Sequence, residues 1–148
     1  ISILNEELPH LKIRCINIVD LMKLESPSKH PHALSDEEYN KLFTKDKPII
    51  FAYHGYPTLI HELTYLRHNR NISVHGYLEE GTITTSFDMR VQNKVDRYNL
   101  VLLALKYLKV EKETKLKIEN EMNHMLEKHS EYIREYGQDM PDILNWKW

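Results

Sequence analysis

Apolar residues along this chain follow two rhythms: recurrence at three- and four-residue intervals, and short, nearly continuous runs. The first marks amphipathic helices and the second marks buried strands. Ile1, Leu4, Leu8 and Leu11 fall on one helical face, with no capping residue ahead of them. The rhythm changes after Pro9. Residues 12–19 (KIRCINIV) are short and rich in β-branched side chains, which predicts a strand buried on both faces. Residues 25–32 (ESPSKHPH) read as a loop, because Pro27 and Pro31 each disfavour helix in the residue before them.

A helix start follows. Ser35 and Glu38 have the spacing of a capping box, and Leu34 and Tyr39 that of a hydrophobic staple, predicting a helix to about Lys45. Residues 49–53 (IIFAY) form the second predicted strand. The turn His54-Gly55-Tyr56-Pro57-Thr58 leads into a helix with Pro57 at its first position and a stripe of Leu59, Ile60, Leu63 and Leu66. Residues 72–77 form the third strand, where Gly76 signals a bulge or a close backbone approach. Thr85 or Ser86 then caps what reads as the longest helix, carrying Phe87, Val91, Val95, Tyr98, Leu102 and Leu105 on one face. A last helix over 113–136 turns Ile118, Met122, Met125 and Ile133 inward, and Gly137 is placed to end it in the left-handed conformation. Strands alternating with helices predict an α/β sheet covered on both faces. Three strands are few for such a domain, which with the uncapped start suggests that at least one strand lies upstream of Ile1.

Composition narrows the function classes. The 148 residues carry 20 Lys+Arg against 22 Asp+Glu, a formal charge of −2, so no basic excess points to nucleic acid. The longest apolar run, residues 100–105, is far below the ~20 residues of a membrane span. The single cysteine, Cys15, excludes an internal disulfide framework and reads as inert strand core. The expectation is a soluble, intracellular protein.

Candidate chemistry is sparse. His54, Gly55, Tyr56 and Thr58 stand where a strand's carboxyl end meets a helix N-terminus, a place suited to an anion. The plainer alternative is that Gly55 supplies the turn and Tyr56 packs, since no GxxxxGK[ST] run is present. Asp20, Glu79 and Glu80 each follow a predicted strand and could act as general acid or base if they converge, with Thr82 beside them. Glu80-Gly81 fits a solvated turn equally well. Among nine histidines, His30-Pro31-His32 and the pair His61 and His68 could offer metal ligands, but no HExxH occurs. His54, closing a strand, is the histidine to keep.

Residues 47–56 (KPIIFAYHGY), 76–89 (GYLEEGTITTSFDM), Asp96-Arg97-Tyr98 and residues 139–143 (DMPDI) resemble the C-terminal domain of the xylulose-5-phosphate/fructose-6-phosphate phosphoketolases. Residues 17–22 (NIVDLM) and 30–36 (HPHALSD) extend the resemblance over nearly the whole chain. It implies a single domain over residues 1–148, the C-terminal piece of a larger multidomain enzyme. The implied fold is a three-layer α/β/α sandwich on a mixed sheet, similar to the transketolase C-terminal domain and here lacking its upstream strand. The resemblance further implies a cytoplasmic homo-oligomer that uses thiamine diphosphate and Mg²⁺ to cleave a ketose phosphate with inorganic phosphate. The remaining domains of that parent chain are the implied partners. A thiamine-diphosphate site needs a Gly-Asp-Gly segment, and none of Gly55, Gly76, Gly81 and Gly137 is followed by Asp-Gly. No catalytic, cofactor-binding or metal residue is therefore carried over, and the chain alone is expected to bind no cofactor and to be inactive. Two other readings stand beside this one. The first is an independent module binding a phosphorylated metabolite or nucleotide at the His54–Thr58 turn, and the second is a small hydrolase using Asp20, His54 and Glu80.

Overall fold

The computed structural model describes residues 1–78 and 83–147. Their order is α1 (Ser2–Glu7), a 3-10 turn (Leu21–Leu24), α2 (Asp36–Phe43), β1 (Ile49–Ala52), α3 (Pro57–Thr64), β2 (Ile72–His75), α4 (Ser86–Gln92), α5 (Arg97–Ala104), α6 (Lys112–Tyr136) and α7 (Pro141–Leu144). They gather into two compact units, one over Lys12–Tyr77 and one formed by Ile1–Leu11 with the chain after Tyr77.

The Lys12–Tyr77 unit is α/β. β1 and β2 pair in parallel, with Ile49 opposite Ile72 and Ala52 opposite His75, and α3 makes the crossover. Pro57 opens α3 as predicted, its missing N–H costing nothing in the first turn. The capping box forms in full: Ser35 Oγ accepts from Glu38 N–H at 3.2 Å, and Glu38 Oε2 accepts from Ser35 N–H at 2.9 Å. Leu24, Tyr39, Phe43, Ile60 and Leu63 form the core, joined by Ile49, Phe51 and Val74 from the strands.

Two buried polar side chains fasten the loops to that core. Arg67 is fully buried. Its Nε donates to Leu24 O (2.9 Å), Nη1 to Asp36 Oδ1 (2.8 Å), and Nη2 to the carbonyls of Leu34 (2.7 Å), Lys23 (3.3 Å) and Glu25. The guanidinium lies 4.3 Å from the Tyr39 ring centre. Burial pushes the Tyr39 phenol above its ordinary pKa, with the Arg67 charge opposing. Asn69 works likewise on the approach to β1: its amide donates to Lys47 O (2.9 Å), Phe43 O and Thr44 O, while Oδ1 accepts from Asn71 N–H (2.9 Å).

The strand predicted over 12–19 does not form. Ile16 and Ile18 turn toward the core, but Cys15 is exposed and Val19 is 92% exposed. Among the described residues no backbone–backbone hydrogen bond engages this segment. Its β-branched composition favours extended backbone, but a strand exists only with a neighbour to pair with. The segment is instead held by Arg14, whose Nη1 donates to Lys41 O and Leu42 O at 2.7 Å each. Cys15 is thus a solvent-facing thiol, not core. The described sheet has two strands where three were expected.

In the other unit, Leu4 of α1 packs with Phe87, Tyr98, Val101, Leu105, Ile118 and Met122. The helix predicted as the longest is broken in two. Lys94 takes a left-handed φ of 56°, Lys94 N–H donates to Val91 O (3.0 Å) and Val95 N–H to Arg90 O (2.9 Å), the bonds of a Schellman ending. Asp96 then caps α5 by accepting from Tyr98 and Asn99 N–H. The apolar spacing runs on across this break, which hid it. The longest helix is α6, with 25 residues, ended by Gly137 at φ 65° as its position predicted. No helix among the described residues is long and apolar enough to cross a membrane.

Removing the Arg67 guanidinium takes the donor from the buried carbonyl of Leu24 and from the part-buried carbonyls of Glu25 and Leu34 at once. Arg67→Met is expected to lower unfolding free energy in urea by about 1–3 kcal/mol, and a loss below roughly 1 kcal/mol would contradict this role. The Ser35 hydroxyl, then the Ser35 backbone N–H, hold the Glu38 carboxyl below its ordinary value of 4.5. Because the folded value is the lower one, the capping contribution is complete above pH 4.5 and disappears as pH falls through the folded value. An NMR titration is expected to show Glu38 titrating below 4.5, and Ser35→Ala should return it toward that value.

Candidate functional site

The turn after β1 brings four predicted residues together. Beyond the ladder, Tyr53 N–H donates to His75 O (2.8 Å) and Tyr77 N–H to Gly55 O (2.9 Å), so the two chains stay zipped past their strand ends. This needs Gly76. A Cβ there would collide with Gly55 O and lie 3.1 Å from Tyr53 O, so the anticipated close backbone approach is real. Gly55 is less constrained, since a Cβ would meet only the Tyr53 ring, 2.7 Å from Cε1.

Three aromatic rings cluster above this zipper. His54 Nε2 and Tyr77 Oη share a hydrogen bond of 2.8 Å, with ring centres 5.0 Å apart. Tyr56 sets its ring edge-to-face on Tyr77 at 5.9 Å and is 50% exposed. Tyr56 is also the N-cap of α3, without a side-chain cap bond, and Thr58 is exposed on the first turn. His54 itself is exposed. An imidazole and a phenol in direct hydrogen bond can pass a proton, and the uncapped helix start faces outward beside them.

Asp20 does not follow a strand, because residues 12–19 form none. Its carboxylate accepts from Met22 N–H (3.0 Å) and caps the 3-10 turn, with no hydrogen bond to His54 among the described residues. Glu79, Glu80 and Thr82 lie outside the described residues. His30 and His32 engage each other, His32 N–H donating to His30 Nδ1 at 3.2 Å. No three His, Cys, Asp or Glu side chains converge on a metal-sized site among the described residues.

A second polar cluster escaped sequence reasoning. His129, fully buried on α6, places Nε2 3.2 Å from Asp88 Oδ1, and Asp88 Oδ2 accepts from Thr84 Oγ1 (2.6 Å) and Gln92 Nε2 (2.8 Å). Thr85, one of the two predicted caps of α4 and the one that forms it, accepts from Asp88 N–H and donates to the buried carboxylate of Asp139. The signal was present: His129 continues the stripe of Ile118, Met122 and Met125, and a polar residue on an apolar stripe needs a buried partner. This cluster fastens the start of α4 to α6 and to the segment before α7.

At Gly76, Ala would push backbone against backbone, whereas at Gly55 a side chain can swing away. Gly76→Ala is expected to cost about 1–3 kcal/mol and Gly55→Ala clearly less, read from paired thermal or urea unfolding; equal costs would remove the special status of Gly76.

The family model described as XFP C-terminal domain matches residues 1–148. A probable phosphoketolase of Clostridium acetobutylicum is 55% identical over 148 residues, covering 100% of this chain and 19% of that protein. Probable phosphoketolases of Pediococcus pentosaceus and Brucella abortus are 49% and 48% identical, again over the whole chain and 19% of their own lengths. The chain thus spans about a fifth of the relatives it matches.

Proposed function

The chain belongs to the XFP C-terminal domain family, and from that premise we propose that it serves as the C-terminal, non-catalytic part of a phosphoketolase. The parent enzyme cleaves a ketose phosphate with inorganic phosphate to give acetyl phosphate, an aldose phosphate and water. The observation that carries this reading is identity of 48–55% to probable phosphoketolases across the full chain. Thiamine diphosphate and Mg²⁺ are assigned to the rest of the parent protein. In support, no glycine here is followed by Asp-Gly. What these residues contribute is structure and assembly. Residues 12–19 are read as a strand of a transketolase-like three-layer sandwich whose neighbouring strand the parent chain supplies. The parent is read as a cytoplasmic homo-oligomer.

Two assays test this. Purified alone, with ketose phosphate, phosphate, Mg²⁺ and thiamine diphosphate supplied, the chain is expected to form no acetyl phosphate, and turnover would refute the non-catalytic role. Grafted in place of the matching portion of the Clostridium acetobutylicum relative, it is expected to sustain acetyl phosphate formation; a folded, soluble chimera without activity would overturn the assignment.

A further inference from the structure

On the Lys12–Tyr77 unit, a cavity of about 220 Å³ opens between the last turns of α3 and the segment entering β2, lined by His61, Thr64, Tyr65, Asn69, Arg70 and Ile72. We propose that this cavity is a binding site for a small phosphate-type oxyanion, held by Arg70 and His61.

Its lining contains two side chains able to carry positive charge and no carboxylate. Among the described residues neither Arg70 nor His61 forms an ion pair. The Arg70 guanidinium carbon lies 5.2 Å from the Tyr65 ring centre. A cation–π contact does not use up the guanidinium's N–H donors, which stay available for a bidentate grip on an oxyanion. His61 lies one helical turn before Tyr65, on the same side of α3.

The cavity floor is fixed and already satisfied. Thr64 Oγ1 donates to Ile60 O (2.8 Å), and the Asn69 side chain is held by the bonds that fasten the approach to β1. The obvious objection is the C-terminal end of α3, whose free carbonyls would repel an anion. Two of the last four are occupied, Glu62 O by Tyr65 N–H and Thr64 O by Arg67 N–H, and the Arg70 and His61 side chains offset the remainder of that field. The volume also limits the ligand, being below the roughly 300–1,000 Å³ of sites for drug-sized molecules. Inorganic phosphate or the phosphate end of a short phosphorylated sugar suits both the charge and the space. This site lies toward the C-terminal end of α3, whereas the His54–Thr58 turn lies at its start, and it needs no catalytic role for the chain.

The test is an amide NMR titration of the full chain with inorganic phosphate, with ribose 5-phosphate, and with sodium chloride at matched ionic strength. Saturable shifts at Thr64, Tyr65, Arg70 and Ile72 with phosphate, absent with chloride, are expected. Tighter binding of ribose 5-phosphate than of phosphate would assign the site to a phosphorylated sugar, and equal binding to the free ion. Arg70→Gln, at an exposed position that leaves the spectrum folded, should weaken binding about tenfold or more, and His61→Gln should weaken it less. Non-saturating shifts, the same response to chloride, or unchanged affinity in Arg70→Gln would each overturn the proposal.

Discussion

A guanidinium with no water around it sets the architecture of the Lys12–Tyr77 unit. Arg67 is fully buried, while its one carboxylate partner, Asp36, has a side chain 75% exposed. A lone surface carboxylate is worth little against the several kcal/mol needed to desolvate a charge. The balance is made up by the carbonyls of Lys23, Leu24, Glu25 and Leu34 and by the Tyr39 ring. Those carbonyls belong to loop and 3-10 turn, whose acceptors have no ladder to join. Cation and loop therefore solve each other's problem. A two-stranded sheet alone is only marginally stable, so this polar node lets a long irregular segment stand over the core.

Caps play the equivalent part in the other unit. α4 and α5 are only 7 and 8 residues long, too short to persist on propensity alone. Thr85, Asp96 and the Schellman ending at Lys94 satisfy the backbone groups that such short helices leave open. Asp88 and His129 then join α4 to α6 through a hydrogen bond in a dry setting, beside the Phe87 ring at 5.1 Å.

Features written in a few adjacent residues were legible in the sequence: the Ser35–Glu38 box, Pro57 at the head of α3, Gly76 at a close approach, Gly137 beyond α6. Each is a local rule with a local consequence. Illegible were the features that depend on distant partners. Nothing near Arg67 announces that residues 23–25 and 34 will meet it. At the break between α4 and α5, periodicity reported a continuous apolar face, while Asp96 was an available capping signal that this rhythm outweighed. At the candidate site, the grouping of His54, Gly55, Tyr56 and Thr58 was readable because they are consecutive or nearly so. The partner that organises them, Tyr77, comes from the far side of the crossover and was not.

Residues 12–19 show why composition and realised structure part company. Arg14, Ile16 and Ile18 turn one way and Ile13, Cys15 and Val19 another, the period of two that a half-buried strand requires. Facing water, unpaired amides and carbonyls remain solvated and cost little; the ~1–3 kcal/mol penalty for each arises only where burial denies them partners. The chain can therefore fold with this edge open, and the burden is transferred to solution behaviour, because an apolar extended edge attracts other strands. Membership of a family whose relatives are about five times longer gives that edge a natural use under the proposed function. A strand tethered in the same polypeptide meets it at an effective concentration of roughly millimolar, well above that of a free second copy. Under that proposed function the alternation is half of an interface: its inward side is satisfied within the Lys12–Tyr77 unit, and its outward side is the face a neighbouring strand would cover.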